Sequence, residues 1–268
     1  MSCVSPAPAA ELSRARILLS NDDGIQAPGL AVLERIAHTL SDDVWVVAPE
    51  TEQSGVSHSL TIHRPLRLRQ LGERRFAVDG TPTDCVLMAI NHILRDQRPT
   101  LVLSGVNAGS NLGEDVTYSG TIAAAMEGCL LGVPSLALSQ HVEPGTEPDW
   151  RMAEHWGAKV VRQAMAVAWP DNVLININFP VAGPTDDLTG PRSVRVVRQG
   201  RRKLGDEIPQ RFDPRGRPYY WIGAQRREDT SNPDTDIGVI MAGGIAVTPL
   251  YLDLTHPSTL ETLREVFS

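Results

Sequence analysis

Ile17-Leu18-Leu19-Ser20-Asn21-Asp22-Asp23-Gly24 is an apolar run that stops abruptly at two adjacent carboxylates and a glycine. A short continuous apolar run bounded by turn residues reads as a strand buried on both faces of a parallel sheet. In an open α/β sheet, ligands gather at the carboxyl ends of the strands. Two neighbouring acids at such an edge repel each other, which is tolerated best where a cation sits between them. Asp-Gly is also a common turn pair, so the octapeptide alone reads equally as a solvent-facing turn. The rest of the chain decides, because it repeats the order of strand, polar Gly-rich loop and helix.

Outward from this run, Pro28-Gly29 opens a helix whose apolar residues Leu30, Leu33, Ile36, Ala37 and Leu40 keep the helical period. Val44–Ala48 is a second buried strand, followed by the loop Glu50–Ser57. Thr61–Gln70 and Arg75–Val78 read as a pair of more exposed strands. Thr81-Pro82-Thr83-Asp84 is a helix start, with a hydroxyl cap, Pro at the first helical position and an acid three residues after the cap. That helix runs to about Leu94. Leu101–Ser104 is the next buried strand and Gly105–Thr117 the polar loop after it. A small-residue helix spans about Ser119–Leu131, followed by strand Pro134–Ser139, a helix over about Trp150–Ala168 and strand Asn172–Asn178.

Strands alternating with helices predict an α/β fold: a doubly wound, mainly parallel, Rossmann-like sheet flanked by helices. Residues 15–180 form the expected catalytic core. Beyond Pro180, Pro, Gly and Arg become frequent, with strand-like pieces at Val194–Val197, Tyr219–Ile222 and Ile245–Leu250 and a terminal helix from about Pro257. Residues 181–268 therefore read as a β-rich arm and terminal helix packed on the core, one structural domain overall.

With 268 residues and a net charge of −7, the chain can bury a large core and is poorly suited to nucleic acid. No segment approaches the ~18 consecutive apolar residues of a membrane helix. Cys3, Cys85 and Cys129 are widely spaced and odd in number, which fits neither a disulfide framework nor a zinc site. Met1–Ala10 has neither the basic start nor the apolar centre of a signal peptide. Residues 1–14 read as a disordered lead-in, and the expected location is cytoplasmic.

Three loops fall at the carboxyl ends of expected parallel strands and should converge. They hold Asn21-Asp22-Asp23-Gly24, Gln53-Ser54-Gly55, and the run from Ser104 to Gly113 that includes Asn107 and Asn111. Two carboxylates with hydroxyl and amide oxygens form a hard ligand set suited to Mg²⁺, Mn²⁺ or Ca²⁺. Tyr118-Ser119-Gly120-Thr121 leads directly into a helix, whose first N–H groups attract anions. Taken alone, Ser119 reads first as a plain helix cap.

These residues resemble the SurE (survival protein E) family of metal-dependent nucleoside-monophosphate phosphatases. The matching segments are Ile17–Gly29, Val46–Thr61, Gly80–Cys85, Ser104–Gly128, Asn176–Pro180, Asp213–Gly223 and Val247–Leu250, in order along nearly the whole chain after Arg14. The resemblance implies one divalent ion per subunit, Mn²⁺ or Mg²⁺, held by Asp22, Asp23, Ser54 and Asn107. It implies catalytic roles for Asp22, Asp23 and Asn111, and phosphate contacts from Asn111, Ser119, Gly120 and Thr121. It also implies 5′-nucleotidase activity on nucleoside monophosphates, extending to 3′-nucleotides or short polyphosphate, and a homodimer or homotetramer assembled through the C-terminal arm. Glu50, where the family more often has Asp, and the run Met241–Ile245 depart from its pattern.

A receiver-type signalling domain also places two acids after its first strand. It further needs an Asp after a later strand and a Lys near the sheet end, and Leu101–Ser104 and Pro134–Ser139 supply neither. An aspartyl-nucleophile phosphatase needs Asp-x-Asp. A metal-dependent nucleotide-binding protein without turnover is the alternative that remains. His58 reads as structural, His63 and His92 as residues within secondary structure, and Arg198–Lys203 as a solvated charged run.

Overall fold

The computed structural model describes residues 12–183, 188, 193–204, 208–222, 226–228 and 230–267. The strands are β1 (Arg16–Ser20), β2 (Asp43–Pro49), β3 (Leu68–Gly72), β4 (Arg75–Val78), β5 (Leu101–Ala108), β6 (Ser135–Gln140) and β7 (Val173–Phe179). Beyond these come β8 (Val194–Val196), β9 (Arg202–Leu204), β10 (Gln210–Phe212), β11 (Pro218–Tyr220), β12 (Arg226–Glu228) and β13 (Ile245–Tyr251). Nine of them form one sheet in the order β3-β4-β2-β1-β5-β6-β7-β13-β8. From β4 to β7 every pairing is parallel, while β3 and β13 run antiparallel to their neighbours β4 and β7.

Both faces of the sheet are covered, which is why β1 is apolar throughout rather than alternating. Ile17 and Leu19 pack with Leu30, Leu33, Ile36, Trp156 and Val160, from helices Pro28–His38 and Arg151–Met165. Leu18 points the other way, toward Val47, Cys85, Val86 and Ala124, the last three from helices Pro82–Met88 and Gly120–Leu130. The result is a three-layer α/β/α stack, as the alternation of elements predicts.

Several boundaries move for identifiable reasons. The expected strand Thr61–Gln70 is ordered as strand only from Leu68. Pro65 has no N–H for a ladder, and the Thr61 N–H is taken by the Asp84 carboxylate at 3.0 Å. His63 consequently sits outside any strand. The strand expected to stop at Ser104 runs on to Ala108. Gly105, at φ +126°, absorbs the irregularity that shifts the register against β6 between Ser104 and Asn107. The helix capped by Thr81 ends at Met88 and continues as one wide turn over Ala89–Ile93. Leu12, placed in the disordered lead-in by sequence, is buried in the main core; residues 1–11 lie outside the described residues.

The sheet crosses residue 180, because β13 and β8 extend it beyond β7. A short helix at Asp236–Met241, too brief to show a period, was not foreseen; Thr235 caps it. Its Asp236 ties the C-terminal segment to the loop after β5. The carboxylate accepts the N–H groups of Gly113 at 3.0 Å, Gly200 at 2.7 Å and Ile237 at 2.8 Å. Burial raises its pKa, and these three donors offset only part of the rise. Asp236→Ala leaves three buried donors unpaired and should cost about 2–4 kcal/mol. Urea unfolding is the check: a loss under about 0.5 kcal/mol is the surface-substitution range and would remove this latch from the account.

Candidate functional site

The strand order reverses direction between β1 and β5. From β1 the chain crosses to β2, goes on to the edge strand β3 and turns back into β4 between them, then returns to β5 on the other side of β1. A crevice opens beyond the strand ends at such a point. Asp22 and Asp23 follow β1 there, Asn107 lies at the end of β5, and Ser54 arrives on the loop after β2. The Gln53 N–H donates to the Asp22 carbonyl at 2.8 Å, which fastens that loop to the acidic pair.

Asp22 is only 4% exposed. Its Oδ1 accepts the Thr121 hydroxyl at 2.5 Å, and Gly120 lies so close that a Cβ there would stand 2.7 Å from the Asp22 Cβ. Burial raises the Asp22 pKa, while the Thr121 hydroxyl and the backbone N–H groups of Thr121 and Gly120 lower it. The start of the Gly120–Leu130 helix thus faces the Asp22 carboxylate. Sequence reading gave Gly120 and Thr121 to a phosphate; in this structure the Thr121 hydroxyl donates to Asp22.

Asp23 is half-buried and accepts the Ala108 N–H at 3.4 Å. Burial, then the neighbouring charge of Asp22, push its pKa up to about 6. The Ser54 hydroxyl donates to Glu52 at 2.9 Å. The Asn107 amide nitrogen donates to the Gly109 carbonyl at 2.8 Å, which leaves its amide oxygen as the group offered elsewhere.

Asp22, Asp23, Ser54, Asn107, Asn111 and Ser119 all line one cleft of about 230 Å³. Asn111 is fixed on every side. Its side-chain nitrogen donates to Ser139 Oγ at 2.8 Å, its N–H to Asn178 at 2.9 Å, and its carbonyl accepts from Asn176 at 2.9 Å. One amide hydrogen of Asn111 remains for the cleft. Ser119 Oγ accepts the Ile122 N–H at 3.1 Å, so it caps the helix while keeping its own O–H to donate. The cap reading of Ser119 is met, and the cap leaves its hydroxyl hydrogen unused.

Other residues of the site were not read as such. Arg202 is 4% exposed and pairs with the buried Asp115 at 3.4 Å. It also donates to Ser110 Oγ at 3.2 Å, and its N–H bonds Glu114. The run expected to be solvated therefore sends one guanidinium beneath the wall of the cleft. Asn176 and Asn178 had a readable signal, two amides at i and i+2 on one face of a buried strand. His58 pairs with Glu127 at 3.0 Å and does not line the cleft, as befits a structural histidine.

A cation fits these donors. Two adjacent carboxylates, the charge of Asp22 raising the proton affinity of Asp23, with neutral oxygens beside them, make a hard site with room left for an anion. Among the described residues there is no group of three or more His, Cys, Asp or Glu placed to hold a metal, because only two of the four candidate ligands are acids.

The sequence profile of Survival protein SurE matches residues 17–206. The chain belongs to the SurE family. A relative from Paramagnetospirillum magneticum, named 5′-nucleotidase SurE, is 58% identical over 260 residues, covering 97% of this chain and 98% of the relative. One from Rhodospirillum rubrum with the same name is 57% identical over 263 residues, covering 97% and 99%. The crystal structure of SurE protein from Aquifex aeolicus is 36% identical, with a TM-score of 0.79 over 94% of this chain and 99% of that one.

The raised pKa of Asp23 carries a sign. In metal-free protein this carboxyl titrates near pH 6, against 3.8 for its ordinary value. Its stabilising contribution is full below the ordinary value and is lost as pH rises through about 6. In EDTA, Asp23→Asn should therefore be more stable than the parent at pH 7.5, with the advantage gone near pH 4. Urea midpoints at both pH values test this; a variant less stable at pH 7.5 contradicts the charge repulsion.

Proposed function

We propose that this protein is a metal-dependent phosphomonoesterase that hydrolyses nucleoside 5′-monophosphates to nucleoside and phosphate. The observation that carries the reading is the cleft at the switch point. There an acidic pair, Asp22 buried and Asp23 half-buried, two neutral oxygen ligands and two separate hydrogen-bond donors face one space. The 57–58% identity to relatives named 5′-nucleotidase SurE supports the same substrate class.

Asp22, Asp23, Ser54 and Asn107 would hold Mn²⁺ or Mg²⁺. When bound, the ion supplies Lewis-acid polarisation of the phosphoryl group and a lowered pKa for water. The protein's own part is positioning. Thr121 and the helix start hold Asp22 in place and offset part of the cost of burying its charge. Asn111, locked by Ser139, Asn176 and Asn178, and Ser119, locked by its cap, present donors to the phosphoryl oxygens. Donors held rigidly before reaction need no reorganisation as charge shifts.

Phosphate release from AMP tests the reading. Activity should vanish in EDTA and return with Mn²⁺ or Mg²⁺. Asp22→Asn should lose most turnover, and Asn111→Ala about 10²–10³-fold in rate, the worth of one such donor. AMP binding without phosphate release would favour the non-turnover binder instead, and full activity of Asp22→Asn in EDTA would end the mechanism.

Assembly and location belong to the same proposal. The β10–β11 hairpin and the residues after it expose Phe212, Tyr220, Trp221 and Ile222, the last at 80%. Aromatic side chains that a hairpin cannot bury need a second surface, and a symmetric exchange between subunits provides one. We expect a homodimer or homotetramer built on this arm. Light scattering at low micromolar concentration should give at least twice the 29.2 kDa chain mass; a stable monomer would reject the arm's role. Among the described residues no helix is long and apolar enough to cross a membrane. The buried free Cys85 and Cys129 suit a reducing, cytoplasmic setting.

A further inference from the structure

Ser110 precedes Asn111 and lines the same cleft, yet the metal and phosphate sites give it no task. Its hydroxyl stands between two nitrogen groups. Arg202 Nη1 donates to Ser110 Oγ at 3.2 Å, and Nδ1 of His141 lies 3.2 Å from the same oxygen. Ser110 is buried, while the His141 ring is half-buried and keeps part of its surface in solvent. The backbone fixes both ends of the contact. The Gly109 N–H donates to the Gln140 carbonyl at 3.0 Å, and the His141 N–H to the Phe179 carbonyl at 2.8 Å. Among the described residues no histidine lines the cleft itself. Of its acids, Asp22 and Asp23 face the cation and Asp115 is paired with Arg202. His141 is the imidazole that reaches the cleft, and it does so through Ser110.

Resting on the phosphatase reading, we propose that Ser110 is the proton donor to the leaving oxygen of the ester, resupplied by His141. A hydroxyl oxygen has two lone pairs and one hydrogen. With His141 protonated, its Nδ1–H and the Arg202 guanidinium occupy both lone pairs, and the Ser110 hydrogen is left to point into the cleft. With the ring neutral and Nδ1 bare, the hydroxyl turns toward it and the cleft loses that donor. Imidazole changes charge between about pH 5 and 8. Arg202 opposes the imidazolium. Asp115, 3.4 Å from Arg202, and Glu114, which accepts the Arg202 N–H, offset that cation. The step balances. A water oxygen bonds to phosphorus and releases one proton to bulk water. The bond from phosphorus to the ester oxygen breaks, with its electron pair on that oxygen. The Ser110 O–H proton moves to the leaving oxygen, and the His141 Nδ1 proton moves to Ser110 Oγ. The neutral ring then recovers a proton from solvent. A positioned acid of this kind contributes about 10²–10⁴-fold in rate.

The test compares two esters in the metal-loaded enzyme. AMP must expel a strongly basic alkoxide, whereas p-nitrophenyl phosphate expels a stable phenolate that needs no proton. Ser110→Ala and His141→Gln should each lower kcat/KM for AMP about 10²-fold or more, and lower the ratio of AMP to p-nitrophenyl phosphate turnover at least about 10-fold. Gln at position 141 can still donate a hydrogen bond toward Ser110 but has no proton to transfer, so a purely structural role would survive that change. Asn111→Ala removes a donor to phosphoryl oxygens that both esters share, and should lower both alike. Equal losses on the two esters in His141→Gln, no loss on AMP, or a ratio that falls only in Asn111→Ala overturn the proposal. Nitrogen-15 NMR of the parent at mildly acidic pH reads the contact itself. A hydrogen-bonded His141 Nδ1–H that disappears in Ser110→Ala supports the relay, and its absence from the parent overturns it. A parent that hydrolyses neither ester sinks the phosphatase reading and the relay with it; an active parent whose variants leave the ratio unmoved sinks the relay alone.

Discussion

The close approach of one helix to one carboxylate organises this molecule. Asp22 lies at the end of a buried strand, where an isolated charge is strongly disfavoured. It is held there by the Thr121 hydroxyl and by the first turn of the Gly120–Leu130 helix. That contact requires Gly120, since any side chain would collide with Asp22. It also requires the helix itself to sit tightly, which its buried Ala123, Ala124, Ala125 and Gly128 allow. Asp22 and Asp23 then share one cleft mouth, where the charge of Asp22 raises the proton affinity of Asp23 and a cation would relieve the repulsion.

The opposite wall depends on residues distant in sequence. Asp236 and Arg202 come from the C-terminal segment, yet both bind the stretch from Ser110 to Asp115 that follows β5. Asn176 and Asn178, on β7, fix Asn111 from below. The C-terminal part of the chain therefore buttresses the site even where it contributes no residue to the cleft. A lesion there should reach the chemistry through the loop it supports.

Much of this was legible in the residues. Buried strands announced themselves as continuous apolar runs, and Thr81, Ser119 and the Pro residues marked helix starts that the structure places within a residue. The convergence of Asp22, Asp23, Ser54 and Asn107 followed from the parallel topology alone. What escaped reading was tertiary. Gly105 read as the start of a polar loop, while in the sheet its positive φ lets β5 continue. Arg202 lay in a run of surface-like charge, and only the fold brings it to Asp115. Thr121 read as an anion donor because sequence cannot show that Asp22 already faces that helix start. The helix at Asp236–Met241 is shorter than any period that could reveal it.

The central claim is that the acidic pair after β1 exists to hold a cation beside a phosphate site. Anomalous diffraction at the manganese edge, from crystals grown metal-free and soaked in Mn²⁺, tests it directly. The account predicts one strong peak per chain, bounded by Asp22, Asp23, Ser54 and Asn107, and its loss in crystals of the Asp22→Asn variant. A peak elsewhere with none in this cleft, or an undiminished peak in the variant, would contradict it.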